Sequence, residues 1–427
     1  MRSWSAPTVP VLPAVPESLE LYDTPQGTTV STTSTAGIAS LYVCGITPYD
    51  ATHLGHANTY VHFDTLVRYW RACGLEVQYV QNVTDIDDPL LERAAATDVD
   101  WRELAESQTE LFREDMAALG VIPPDHYVGA VEMIPAVVED VESLLQRGIA
   151  YPVSAADAAG EDYYFDISAA ERSTQWRLGS VGAYGRADME ELFPQRGGDP
   201  DRRGKRDPLD PLLWRAARDG EPQWAGGQLG RGRPGWHIEC SVIARRNLPA
   251  PFTIQGGGSD LRFPHHEFSA AHATAADGKP LAEGYMHTGM VGLAGEKMSK
   301  SQGNLVLVSQ LRAQGWDPQA IRVLILSHHW RQDWSFTEAA LEAAAERLAS
   351  WKSALHTREH RAADSAHEAA APGELHYALM SALAGDLNSP AALDTLDLWA
   401  AGHLAAQDSA AQVRDVVLAL LGLDLTA

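Results

Sequence analysis

Apolar positions recur with two different periods along this chain, and the switches between those periods mark its elements. Ser40-Leu-Tyr-Val-Cys44 is a short apolar run of β-prone residues that stops at Gly45, with Pro48 close behind. Asn58 to Cys73 then carries Phe63, Leu66, Val67 and Trp70 at helical spacing, so the opening pattern is strand, loop, helix. Val77 to Val83 alternates as a second strand, and Trp101 to Leu119 reads as an amphipathic helix that closes near Gly120. Gly129 to Leu145 predicts another helix. Strands alternating with helices predict an α/β fold built on a parallel sheet.

From Tyr151 to Gly235 the pattern changes to short strands with Gly, Pro and mixed charges, which reads as an insertion into that sheet. The earlier rhythm resumes with a helix over Trp236 to Arg246, a strand at Phe252 to Gln255 and a helix from His265 to Ala276. From Ser335 onward the chain is helical. Ser335 and Glu338 have capping-box spacing, and Pro372-Gly373 and Ser389-Pro390 break the later helices. The first 35 residues carry five prolines and a Thr/Ser run, and predict an arm with at most a short strand near Leu19 to Tyr22. The expected division is therefore an arm over residues 1–35, a first sheet half over 36–150, an insertion over 151–234, a second half over 235–330 and a helical domain over 331–427.

At 427 residues and 45% apolar, the chain is long enough for two or three domains with a large core. It holds no uncharged apolar run of about 18 residues and no apolar leader in its first 26 positions, so the cytoplasm is the expected location and no membrane partner is expected. Cys44, Cys73 and Cys240 are odd in number and widely spaced, which excludes a disulfide framework and leaves thiols for metal or chemistry. Against 33 Lys and Arg stand 57 Asp and Glu, a formal charge of -24, so no overall attraction draws the protein to a phosphate backbone.

Two motifs carry candidate chemistry. His53-Leu-Gly-His56 falls in the loop between the first strand and its helix. Two imidazoles at a helix N-terminus can reach triphosphate oxygens, and Gly55 lets a nucleotide approach the backbone; taken alone, the same pair also reads as a simple helix cap. Lys297-Met-Ser-Lys300-Ser301 is the second. The chain has only five lysines, at 205, 279, 297, 300 and 352, and two of them stand three apart in this Gly-flanked loop. A compact, mobile ammonium can follow a phosphate as charge builds on it. A P-loop is absent, and Gly256-Gly-Gly258 is not a dinucleotide fingerprint, so ATP is expected to enter through these two motifs.

In this order, on a split α/β sheet, the two motifs resemble those of class I aminoacyl-tRNA synthetases. The text around them resembles the cysteinyl branch over roughly residues 39 to 400. The matching stretches are Tyr42-Val-Cys-Gly-Ile-Thr47, Asn82-Val-Thr-Asp-Ile-Asp-Asp88, Asp207-Pro-Leu-Asp210, Pro234-Gly-Trp-His-Ile-Glu-Cys240, Gly256-Gly-Gly-Ser-Asp-Leu261 and Phe263-Pro-His-His-Glu267. The resemblance implies a Rossmann-like class I catalytic sheet interrupted by a connective insertion, followed by a C-terminal helical bundle. It implies phosphate-stabilising roles for His53, His56, Lys297 and Lys300. It also implies an aminoacyl-adenylate site lined by Cys44, Gly45, Ile46, Thr47, Thr59, Asn82, Val83, Thr84, Trp236, Gly258, Ser259, Asp260 and Val291. Trp236 would wall the amino acid and Asp260 would pair with its ammonium.

Cys44, Cys240 and His265 have no local metal-ligand spacing, and on their own each reads as a core residue. In the cysteinyl family these positions hold a zinc ion that grips the substrate thiolate, so the resemblance implies one Zn2+ per subunit beside the Mg2+ that accompanies ATP. Three N/S ligands with an open position is the arrangement of a working zinc. Where the synthetases carry a fourth ligand Glu, this chain has Ser269. A zinc-protease reading of His266-Glu267 fails because position 270 is Ala270 rather than His. Asp85, Asp87 and Asp88 are expected to cap a helix and make structural hydrogen bonds, and Cys73 is expected to be a small buried residue.

A cysteinyl-tRNA synthetase reads its tRNA with a domain beyond the helical bundle. Here 34 residues follow Leu393, too few for such a domain, and from residue 362 onward one basic residue, Arg414, faces nine acids. The cysteine ligases of mycothiol biosynthesis share the catalytic half without the tRNA part. The chain resembles them in Ser3-Trp4, Thr47-Pro-Tyr-Asp-Ala-Thr52, Arg196-Gly-Gly-Asp-Pro200 and the missing Glu ligand, and departs from them at Gln195, where they have Glu. That resemblance implies joining of L-cysteine, activated by ATP, to the amine of glucosaminyl-inositol, by a monomer with no tRNA partner. The alternative is a cysteinyl-tRNA synthetase without its anticodon domain.

Overall fold

The structure is a computed structural model. It describes every residue except Pro16, 33–36, Ala159, 294–295, 298–304, 363–371, 405–407 and Ala427, and for positions 296, 297, 361 and 362 it describes the backbone alone.

Its centre is a five-stranded sheet in which every neighbouring pair is parallel: Ala282–Thr288, Phe252–Gly258, Ile38–Val43, Glu76–Val83 and His126–Gly129, in that spatial order. Five of the six residues of Ile38–Val43 are buried, as expected of a central parallel strand covered on both faces. In chain order the strands lie 5-4-1-2-3, so the winding reverses between Ile38–Val43 and Phe252–Gly258. Crevices that bind ligands open beyond the carboxyl ends of strands at such a reversal. Here those ends run into Cys44-Gly45 and into Ser259-Asp260.

Helix Leu54–Ala72 covers one face, and its Phe63 ring packs so closely that a Cβ on Gly256 would sit 2.2 Å from it. Only glycine fits that crossing. Trp236–Asn247 and His265–Asp277 pack together over the Cys44 side, sharing a buried cluster with Tyr42, Cys44 and Phe252. The insertion forms its own antiparallel sheet of Ala150–Ser154, Glu161–Phe165, Leu212–Ala216 and Gly232–Pro234. The helices Glu338–Ala362, Glu374–Ala384, Ser389–Ala400 and Ala410–Leu421 follow. No helix among the described residues is long and apolar enough to cross a membrane.

Four expectations change. The proline-rich start is not a loose arm: Glu20–Asp23 and Thr28–Ser31 form a hairpin, and Trp4, Leu19 and Leu21 are buried. Thr24 N donates to Tyr285 O, so this hairpin closes onto the edge strand of the central sheet. His126–Gly129 is a strand, and the helix after it starts later, at Ile134, behind a 3-10 turn. The helix after the first strand begins at Leu54, four residues before Asn58, because His53 caps it. Ser335 is not a helix cap, since it lies in the strand Trp334–Phe336 beside Gly292; the hydroxyl of Thr337 takes the Ala340 N–H at 3.2 Å instead.

Candidate active site

The first strand delivers Cys44 and Gly45 to the crevice. Gly45 N donates to Asn82 Oδ1 at 2.8 Å, and a Cβ on Gly45 would lie 1.6 Å from the Asn82 carbonyl oxygen, so glycine alone permits this approach. Asn82 Oδ1 also accepts from Tyr42 Oη at 3.0 Å, while its Nδ2 donates to Thr84 Oγ1 at 3.2 Å. Thr84 N bonds Ile46 O, and Tyr49 N turns back onto Thr47 O. The segments 44–47 and 82–84 are thus stitched side by side, with Val83 ending the second strand and passing its carbonyl to Ala130 N.

His53 caps Leu54–Ala72, its Nδ1 accepting from Gly55 N at 3.1 Å, and its ring stacks on His56 with centroids 3.8 Å apart. Both imidazoles therefore stand at the positive end of a 19-residue helix. One turn on, Thr59 Oγ1 meets Thr288 Oγ1 at 2.9 Å, linking the helix to the end of the fifth strand. Lys297 lies in the short strand Glu296–Lys297, paired with Gly292 in Val291–Leu293. Beyond it the chain leaves the described residues, Lys300 among them. It returns so that Leu54 N bonds Val306 O and Val308 N bonds Thr52 O, which anchors the far end of this segment against the His53 motif. Val291 is buried and belongs to the main hydrophobic core.

On the other flank, the sulfurs of Cys44 and Cys240 and a ring nitrogen of His265 lie within 4.8 Å of one another, all three residues buried. These positions are 196 and 25 residues apart along the chain. The switch point brings them together: Cys44 ends the first strand, Cys240 sits on the helix after the insertion, and His265 opens the helix after the fourth strand. Burial acts to raise the Cys240 thiol, but hydrogen bonding with Cys44 and the His265 ring hold it well below the usual thiol range; the same burial and the Cys240 sulfur push Cys44 up. One sulfur is ready as a thiolate and a cation between them would ionise the second. Two sulfurs and an imidazole suit a thiophilic, tetrahedral ion such as zinc. Ser269, at the position of the absent fourth ligand, is turned away to Gln255 Nε2 and the His266 carbonyl.

Trp236 stacks on the His265 ring with centroids 4.4 Å apart, forming a wall beside these three residues. Gly258 ends the fourth strand and Ser259–Arg262 makes a 3-10 turn, with the Asp260 carboxylate folded back over Gly258. The aspartates behave as structural groups: Asp87 caps Asp88–Thr97, Asp85 accepts from Val131 N, and Asp88 pairs with Arg233. Cys73 caps the helix end and its thiol donates to Glu17 O.

Several groups at the cluster had no sequence signal of their own. His266 Nε2 lies 3.2 Å from Cys44 Sγ, His266 Nδ1 lies 2.8 Å from His287 Nε2, and His287 Nδ1 lies 2.7 Å from Thr24 Oγ1. Burial holds His266 well below, and His287 down to about 3, so both rings are neutral. His237 Nδ1 approaches His265 Nδ1 at 3.1 Å, and Tyr60 Oη donates to the Cys44 carbonyl. His237 and His266 lie in the Pro234–Cys240 and Phe263–Glu267 stretches; His287, Thr24 and Tyr60 lie in none of the matching stretches.

Residues 30–346 match the family described as tRNA synthetases class I (C) catalytic domain. Proteins named L-cysteine:1D-myo-inositol 2-amino-2-deoxy-alpha-D-glucopyranoside ligase are similar over whole lengths: that of Micrococcus luteus is 61% identical over 430 residues, and that of an Arthrobacter species 56% identical over 441, each covering 100% of both chains. Among solved structures, Mycobacterium tuberculosis methionyl-tRNA synthetase in complex with methionyl-adenylate superposes with a TM-score of 0.60 at 18% identity, covering 90% of this chain and 88% of that one. An Agrobacterium radiobacter LeuRS in a ternary complex with tRNA and LeuAMS gives 0.61 at 12% identity, covering 91% and 83%, which speaks for the fold alone. The chain belongs to the class I (C) tRNA synthetase catalytic-domain family and, within it, to the group of L-cysteine:1D-myo-inositol 2-amino-2-deoxy-alpha-D-glucopyranoside ligases.

Proposed function

We propose that this enzyme joins L-cysteine to the amine of glucosaminyl-inositol at the expense of ATP, the cysteine-adding step of mycothiol biosynthesis. The observation that carries the reading is the buried Cys44–Cys240–His265 triad at the switch point, with the stacked His53–His56 pair opening the helix that follows the same first strand. A sulfur-seeking site beside a phosphate cradle selects cysteine and activates it.

The carboxylate oxygen of cysteine attacks the α-phosphorus of Mg2+-bound ATP, the bond to the β,γ-phosphates breaks, and pyrophosphate leaves. His53 and His56 at the helix N-terminus, together with Lys297 and Lys300, hold those phosphates and offset the charge that develops. The adenylate lies along Gly45, Ile46 and Thr47, with Thr59, Asn82, Val83, Thr84, Gly258, Ser259 and Val291 completing its lining, several through backbone groups. Asp260 pairs with the cysteine ammonium and Trp236 closes the pocket beside it. Cys44, Cys240 and His265 would hold the zinc ion, which supplies a Lewis acid that prefers a thiolate to a serine hydroxyl. The sugar amine then attacks the activated carbonyl, the carbonyl bond to the phosphate oxygen breaks, and AMP departs as the amine nitrogen gives up a proton. The reading places a monomer working on small molecules in the cytoplasm, with no tRNA partner.

The test presents the protein with cysteine, ATP and either glucosaminyl-inositol or deacylated tRNA and identifies the product by mass spectrometry. A cysteinyl amide of the amino sugar is the expected product. Charging of tRNA in its place would favour a synthetase reduced to its catalytic half.

A further inference from the structure

Arg196, in the Arg196-Gly-Gly-Asp-Pro200 segment of the insertion, has so far been given no task. It follows the last residue of helix Arg186–Gln195 and is half-buried, whereas its neighbour Gln195 is exposed. Its guanidinium does not stay in the insertion. One nitrogen, Nη1, donates to the carbonyl of Asp260 at 2.7 Å and to the carbonyl of Phe263. Those oxygens flank the end of the 3-10 turn Ser259–Arg262, where carbonyls have no partner within the turn itself. A cationic N–H donor at such an end is about twice as strong as a neutral one.

The insertion grips the same stretch elsewhere. Arg262 donates back to Gly182 O at 2.8 Å, and the buried Glu267 accepts from Trp176 Nε1, Val181 N and Gly182 N. The segment from Asp260 to Glu267, which carries the proposed ammonium partner and the His265 ligand, is therefore held from outside the sheet by residues 176–196. Of these contacts, the Arg196 bond alone touches the peptide of Asp260.

We propose that Arg196 is a positioning residue for cysteine recognition: by fixing the Asp260 and Phe263 carbonyls, it sets the Asp260 carboxylate over Gly258, where it meets the substrate ammonium. This rests on the function proposed above. Misplacement of a substrate-positioning group by about 1 Å can cost a hundredfold, so a side chain that never touches substrate can still govern its binding.

The test uses cysteine-dependent ATP–pyrophosphate exchange with Arg196→Met, Arg196→Lys, Asp260→Asn and the Arg196→Met/Asp260→Asn pair. Arg196→Met should raise the KM for cysteine about tenfold or more while the KM for ATP stays within about twofold, and Arg196→Lys should recover much of the loss. Adding Arg196→Met to Asp260→Asn should change the cysteine KM by less than about twofold, because the two act as a unit. Hydrogen exchange should quicken at residues 259–263 and stay unchanged at 252–255. Effects that multiply in the double variant, an equal rise in both KM values, or loss of the folded far-UV signal in Arg196→Met would overturn this role and leave the functional reading standing. Exchange by the unaltered enzyme that does not depend on cysteine would overturn that reading, and the role with it.

Discussion

Nε2 of His266 lies 3.2 Å from Sγ of Cys44, and the ring behind it continues through His287 to the hydroxyl of Thr24. Once a bound cation ionises Cys44, its thiolate can only accept. His266 must then carry its proton on Nε2 and accept at Nδ1 from His287 Nε2–H, which leaves His287 Nδ1 to accept from Thr24. In the metal-bound state the order of donors then runs from the N-terminal hairpin inward. Partners behind a ligand typically govern metal affinity by about ten- to a hundredfold. His266→Phe is expected to lower zinc affinity within that range, and Thr24→Val to lower it less, both measured by competition with a chromophoric chelator. Unaltered affinity in His266→Phe would show that the imidazole does nothing for the sulfur.

Cys240→Ser replaces the more readily ionised sulfur of the pair with a hydroxyl that stays protonated. Zinc retention and cysteine activation should be lost together, followed by metal analysis of the purified variant and by pyrophosphate exchange. Exchange that persisted in a zinc-free variant would end the idea that a metal selects the thiol.

What the sequence could convey follows from range. Ser40 to Cys44 and Trp236 to Arg246 announce their elements through local apolar spacing, and the structure places Ile38–Val43 and Trp236–Asn247 there. His126–Gly129 has four residues, one of them His and one Gly, too few for a period to register, so it merged with the helix behind it. Thr28–Ser31 hides in a Thr/Ser run whose only strand signal is its pairing with Glu20–Asp23. Sheet order is less legible still, because pairs such as Ile254 with Leu41 join residues more than two hundred apart. The same holds for the triad: nothing near Cys44 hints at Cys240 or His265, and only likeness to a family joined them. Ser335 and Glu338 mimic a cap by spacing alone, which β-pairing of Ser335 with Gly292 overrides.

His62 is buried on the helix that the His53 motif opens, and neither ring nitrogen has a hydrogen-bond partner among the described residues. Burial, with smaller repulsion from His329 and Arg322, holds it down to about 3. An unfolded histidine titrates near 6.5, so as the pH falls below that value the unfolded chain takes up a proton that the folded one refuses. The stability this group allows is complete above pH 6.5 and is lost progressively toward pH 3. His62→Phe should reduce the fall in unfolding free energy between pH 7.5 and pH 5 by about 2 kcal/mol. Urea unfolding at several pH values checks it, and parallel profiles for the two proteins would refute it.

Two residues further along that helix, at Asp64, partners rather than burial prevail. Its Oδ2 accepts from Arg68 Nε at 2.7 Å and from Arg322, and its Oδ1 accepts from Ile122 N at 2.8 Å, all out of solvent. The two guanidiniums reach on to the carbonyls of Leu418 and Leu421, so they cap the end of helix Ala410–Leu421 and fasten it to the helix that presents His53 and His56. Burial works to raise this carboxyl, but Arg68 and Arg322 together prevail and hold it below the usual aspartate range. Its contribution is therefore complete above about pH 4 and disappears only as the pH falls through the lower folded value. Asp64→Asn leaves two buried cations short of their counter-charge and should cost about 3–5 kcal/mol, by the same amount at pH 5 and pH 8. Urea unfolding reads the loss, and limited proteolysis should release the C-terminal helix first. A loss under about 1 kcal/mol would mean that the arginines hold the helix without the aspartate.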